Sequence, residues 1–107
     1  MKTAQGETIC TINNIEWHLR DEEIAGVLKD FSHPPDERRH YGVYPFKTGK
    51  IFVKSFSEKG LLGHLRNKIS PRGKREYLLG RKLVSLSIRT PEMYGYGIGP
   101  VSSSVVE

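Results

Sequence analysis

The sequence predicts an α+β fold: a mostly antiparallel sheet of about five strands, packed by a helix that carries a glutamate. Three stretches carry that expectation. Residues 39–46 and 51–56 are strand-like and flank Lys47-Thr48-Gly49-Lys50, which reads as a hairpin turn. Residues 71–83 read as a helix, with Pro71 suited to its first turn and Glu76 one turn further on. Residues 92–98 and 102–106 read as a closing pair of strands around Gly99-Pro100. A chain of 107 residues is one domain by length. Residues 1–35 supply an N-terminal strand and helix, and residues 36–107 the lysine strand, the glutamate helix and the closing strands.

Each element has a local reason. Ile15, Trp17 and Leu19 alternate at spacing two, which predicts a strand with one buried face. Asp21 is placed to cap a short helix, with Glu22 and Glu23 at the positive end of its dipole. Ile24, Val27, Leu28 and Phe31 then recur at i, i+3, i+4 and i+7, a narrow apolar stripe. Pro34 and Pro35 end it, because neither can continue a helix. In the second strand of the hairpin, alternation separates Ile51, Val53 and Ser55 from Phe52, Lys54 and Phe56, so Lys54 shares a face with two phenylalanines. Leu61, Leu62, Leu65 and Ile69 predict a further helix up to residue 69. After Pro71, Leu79, Leu83 and Leu86 fall on one helix face, and Glu76 extends that stripe back by one turn. An acid aimed at the core needs a cation to stay charged. Lys54 is the expected partner of Glu76, with Arg72, Lys74, Arg75, Arg81 and Lys82 as local alternatives.

Composition bounds the function. Apolar content of 36% and charged content of 27% describe a soluble, rather polar globular domain. No window approaches the roughly 18 consecutive apolar residues of a membrane span. The first residues lack the apolar core of a secretory leader, which predicts a cytoplasmic chain. The lone Cys10 has no disulfide partner and reads as a small apolar strand residue. A net charge of +5 favours anionic partners, and the charge is uneven. Residues 1–37 hold eight acidic and three basic side chains, whereas residues 58–82 hold eight basic ones and only Glu58 and Glu76 as acids.

Several motifs carry little. His18, His33, His40 and His64 lack ligand spacing, so no metal site is expected. Ser102, Ser103 and Ser104 have no nearby His and acid to make a nucleophile. The run Gly95-x-Gly97-x-Gly99 reads as strand and turn rather than a phosphate cradle, and Gly49-Lys50 lacks the upstream glycine of a Walker loop. The basic cluster Arg66, Lys68, Arg72, Lys74 and Arg75 is by default a solvated helix end. Its functional readings are contact with an anionic or lipid-linked sugar, with anionic lipid headgroups, or with nucleic acid. A small basic nucleic-acid-binding domain, stacking bases on Tyr41, Tyr44, Tyr94 and Tyr96, is therefore the alternative function.

A strand reading Phe52-Val53-Lys54, with Phe56 just after it, is followed by a helix carrying Lys74-Arg75-Glu76-Tyr77. The run from Leu83 to Pro91 and then Gly95-Tyr96-Gly97 completes the pattern. Together they resemble the small N-terminal lobe of protein-kinase-like enzymes, and within them the bacterial lipopolysaccharide core kinases that phosphorylate Kdo or heptose sugars. The resemblance covers residues 41–107. It implies that Lys54 contacts ATP phosphates, that Glu76 anchors Lys54, and that the nucleotide arrives with magnesium. It leaves open peripheral contact with the inner face of the membrane. The family's catalytic Asp and its metal-binding Asp and Asn belong to a second lobe, so no catalytic or metal residue is expected here. The chain reads as a lobe ending before that second one, with weak or absent nucleotide binding alone. One departure is plain: residues 32–50 contain only Gly42 and Gly49, not a glycine-rich phosphate loop.

Overall fold

The computed structural model describes residues 6–34, 36–58 and 60–107. The fold is α+β, and the described residues form six strands in a single antiparallel sheet ordered β1-β2-β5-β6-β4-β3. The sequence predicts about five strands; the additional one comes from the N-terminal segment. There, β1 (Thr8–Ile12) and β2 (Ile15–Leu19) form a tight hairpin with Ile12 opposite Ile15. Asn13 and Asn14 both adopt positive φ, at 52° and 64°. Asparagine tolerates that conformation better than other side chains, and paired left-handed residues match the twist of a hairpin.

A five-residue helix, α1 (Ile24–Leu28), follows β2. The Asp21 carboxylate accepts the Glu23 amide at 3.0 Å and pairs with Lys47 at 2.7 Å, tying this segment to the turn of the next hairpin. The Lys47 ammonium and the Glu23 amide hold the Asp21 carboxyl below its ordinary pKa. In that hairpin, β3 (Arg39–Phe46) and β4 (Gly49–Ser57) are joined at Lys47-Thr48, with Phe46 opposite Gly49. Two helices follow, α2 (Gly60–Ile69) and α3 (Arg72–Ser85). The closing strands are β5 (Gly95–Ile98) and β6 (Ser102–Val106), with β6 lying between β5 and β4. The ladder continues one residue further, because Phe52 and Glu107 exchange both backbone hydrogen bonds, at 2.7 and 2.9 Å. Among the described residues, no helix is long and apolar enough to cross a membrane.

Each face of the sheet has its own core. On one face Ile15, Trp17 and Leu19 of β2 meet Ile24, Leu28 and Phe31 around α1, with Ile51, Val53 and Val106. Gly97 lies beneath Trp17, 2.7 Å from its ring at the point where a Cβ would stand. That packing accounts for a glycine at position 97. On the other face, Phe56, Tyr77, Met93, Tyr96 and Val105 form a second cluster beneath α3.

Both later helices sit in a rotation different from the one their leucines predict. In α3, Gly73, Tyr77 and Gly80 face the sheet, whereas Leu79 and Leu86 are 58% and 60% exposed. The two glycines let the helix backbone approach Ser104 and Met93, and Tyr77 fills the space between them. In α2 the only buried residue is Asn67, while Leu61, Leu62, Leu65 and Ile69 point outward. The Asn67 amide donates to the carbonyls of Gly99 and Ser102, at 3.2 and 3.3 Å, so a polar anchor outranks the apolar stripe in orienting this helix.

Candidate functional site

Lys54 stands on the α3 side of the sheet. The pleat of β4 sends Ile51, Val53 and Ser55 to the α1 core and Phe52, Lys54 and Phe56 to the other side. Tyr41 lies opposite Lys54, and Val43 opposite Phe52. These neighbours form an open apolar wall: Tyr41, Val43 and Phe52 are 56%, 55% and 47% exposed. Beside the wall is a hollow of about 400 Å³, bordered by Phe52, Lys54, Pro91, Tyr94 and Glu107.

The partner of Lys54 is Glu107. Its Oε1 receives the Lys54 ammonium, and the Glu107 side chain is nearly buried while that of Lys54 is partly open. The hydrogen bond to Glu107 pushes the Lys54 pKa up, against the opposing pull of burial, and the more distant field of Glu76 adds to it. The expected contact between Lys54 and Glu76 is therefore not the one that forms. Glu76 instead meets Arg72 one turn back on α3, at 3.6 Å. The physical reason is the rotation of α3: with Gly73, Tyr77 and Gly80 against the sheet, Glu76 lies at the flank of the helix.

Glu107 was legible in principle. Strand alternation puts residues 105 and 107 on one face, and Val105 stands opposite Lys54. What hid it is that β6 pairs with the lysine strand across fifty residues of chain, an adjacency that no local pattern encodes.

The structure divides the basic cluster of α2 and α3. Arg72 stacks on the Phe56 ring at 4.2 Å. Arg66 and Arg75 join Arg72 around a hollow shared with Glu58, Glu76 and Leu79. Lys74 reaches over Tyr96 at 5.9 Å. Lys68 borders a separate, largely apolar hollow with Leu61, Leu65 and Ile98. The four tyrosines of the nucleic-acid reading also fall in different places. Tyr44 packs edge-on to Phe31 in the α1 core, and Tyr96 is buried, stacked on His18 at 4.6 Å. Only Tyr41 of those four counts among the exposed large side chains.

Two chains of polar side chains, one buried and one part-buried, depend on contacts between distant residues. Ser55 and Ser104, both fully buried, are linked at 3.1 Å, and Ser55 meets the His33 ring at 2.7 Å. The other His33 nitrogen donates to the Glu37 carbonyl at 2.6 Å. A serine with no solvent access cannot attack a substrate, so this is a structural chain. On the opposite face, the Tyr77 hydroxyl donates to Glu7 at 2.6 Å and accepts from Arg81 at 3.0 Å. Cys10 lies on β1 against the α1 core, and burial raises its pKa. Among the described residues, no three His, Cys, Asp or Glu side chains come together to hold a metal.

In comparison with known proteins, no family model, no curated protein and no solved structure matches this chain.

Proposed function

We propose that this chain is the nucleotide-facing lobe of an ATP-dependent kinase resembling the lipopolysaccharide core kinases, with Lys54 as the phosphate contact. One observation carries the reading. Lys54 is a half-open cation, held by a nearly buried carboxylate, at the edge of an unpartnered apolar wall on the face that α3 covers. A purine ring needs a flat apolar surface, and its phosphates need a cation whose flexible stem is held in place. Phe52, Tyr41 and Val43 supply the first and Lys54 the second. In this arrangement Glu107 does the anchoring that the resemblance gives to Glu76, and Glu76 contributes only its field. The donor set fits the nucleotide: Lys54 and the wall offer nothing to magnesium, which would ride on the phosphates and be held by a second lobe. Phosphoryl transfer to an anionic or lipid-linked sugar likewise belongs to the assembled enzyme.

Titration of the isotope-labelled chain with ATP tests this reading. Saturable shifts should centre on the amides of Phe52, Lys54 and Tyr41, weak in affinity and absent with adenosine-free polyphosphate at equal charge. The double substitution Lys54→Met/Glu107→Gln removes both charges together and so leaves neither one unpaired. It should abolish the shifts while preserving the fold. Shifts that survive the double substitution, or that scatter over the basic helices, would overturn the assignment.

A further inference from the structure

We propose that the hollow bounded by Arg38, Arg39 and Arg72 is a binding site for a phosphomonoester carried on a small polar molecule. The site draws on parts of the chain that are distant in sequence. Arg39 pairs across the hairpin with Phe56, so its side chain leaves the sheet on the same face as the Phe56 ring. Arg72, at the first turn of α3, lies over that ring at 4.2 Å. Arg38 is fixed through its carbonyl, which accepts the Ser57 amide at 2.7 Å. The three arginines border one hollow of about 520 Å³ with Phe56, Ser57 and Glu58.

Charge and geometry select the ligand class. Among the described residues, neither Arg38 nor Arg39 has a carboxylate within ion-pair distance. Arg72 shares only the 3.6 Å contact with Glu76. Glu58 is the single acid on the hollow's rim, leaving an excess of positive charge. Three arginines bordering one space with a single acid raise its positive potential, and a bound anion offsets their mutual repulsion. Their planar forks match phosphate oxygens two at a time, which an ammonium cannot do. Arg72 is pre-positioned by stacking on Phe56, and its place at the positive end of α3 adds to the field. The volume falls in the range of small-molecule sites, so the hollow admits a phosphate with a body attached.

The site is separate from Lys54 and stands or falls without the nucleotide reading. Calorimetric and NMR titrations of the chain with glycerol phosphate, inorganic phosphate and chloride, at matched ionic strength, provide the test. Both phosphates should perturb the Arg39 and Arg72 guanidinium signals where chloride does not, with glycerol phosphate the tighter if its body is also held. Arg39→Ala, at an exposed position, should weaken binding about tenfold, the effect of losing one charge-assisted hydrogen bond. Glu58→Gln should tighten binding several-fold, and Lys54→Met/Glu107→Gln should leave it unchanged. Chloride reproducing the phosphate shifts, or Arg39→Ala binding as well as the parent, would refute the site. ATP shifts that persist in Lys54→Met/Glu107→Gln, with phosphate binding intact, would count against the nucleotide reading alone.

Discussion

Tyr77 shows how much one side chain can join. Its ring lies in the α3-side core, tilted against Tyr96 at 5.2 Å, while its hydroxyl joins Glu7, ahead of the first strand, to Arg81 on α3. Burial first, and then the Glu7 carboxylate, push its pKa up from 10.0 to about 12. The folded protein thus keeps this proton after unfolded tyrosine has released its own. The stabilisation is whole below pH 10 and is lost as pH rises through about 12, on the order of 2 kcal/mol. In an ultraviolet titration the last of the five tyrosines to ionise should be this one, and Tyr77→Phe should delete that late step. Five tyrosines ionising together near pH 10 would show that the hydroxyl is solvated. Lys54 shifts in the same direction, so it keeps its charge beside Glu107 into strongly alkaline pH. At this scale the sequence was half legible. The face of Lys54 followed from the two-residue period of a strand, but its partner depended on a distant strand.

Among the elements, α3 teaches most about what a sequence pattern conceals. Its leucines at 79, 83 and 86 mark the more apolar stripe, yet the helix turns Gly73, Tyr77 and Gly80 to the sheet. Close approach explains the choice. A small-residue seam lets the helix backbone lie almost on β6, where the Gly73 amide donates to Ser103 Oγ at 2.9 Å. A Cβ at Gly73 would collide with the Ser104 backbone, whereas at Gly80 it would meet side-chain atoms alone, Cε and Cγ of Met93, both at 2.5 Å. Gly73→Ala should therefore cost about 3 kcal/mol, the upper end of overpacking penalties, in urea unfolding. Gly80→Ala should cost less, since Met93 can repack by a change of rotamer where backbone cannot, and alanine favours helix by about 1 kcal/mol over glycine. Equal costs, or the reverse order, would show that the seam does not set the helix position. The β1–β2 hairpin was missed for a related reason. Asn13-Asn14 is a turn signal, but it sits inside a stretch marked by Ile9, Ile12 and Ile15 that reads as one loosely alternating strand.

For the whole molecule, the order of strands matters more than their number. The last strand, β6, is interior, and all five of its residues are buried. Three of them are serines, which as text look like surface. Their hydroxyls make sense only once β4 and α3 stand beside them, giving Ser104 to Ser55 and Ser103 to Gly73. The class of fold, the lysine hairpin and the closing strands could be read from periodicity and turns. The strand order, the helix rotations and the arginine hollow all depend on contacts between distant parts of the chain.

The outward turn of α2 has a dynamic consequence. A helix that reaches the rest of the protein through Asn67, leaving Leu61, Leu62, Leu65 and Ile69 in water, gives up little apolar burial when it detaches. Its opening is thus nearly uncoupled from that of the sheet, and its amides form a separate cooperative unit of low free energy. In native-state hydrogen exchange the amides of residues 64–69 should exchange well ahead of those of β6, and Asn67→Ala should hasten them without changing β6. Exchange of both sets at one rate would mean that helix and sheet open as one body.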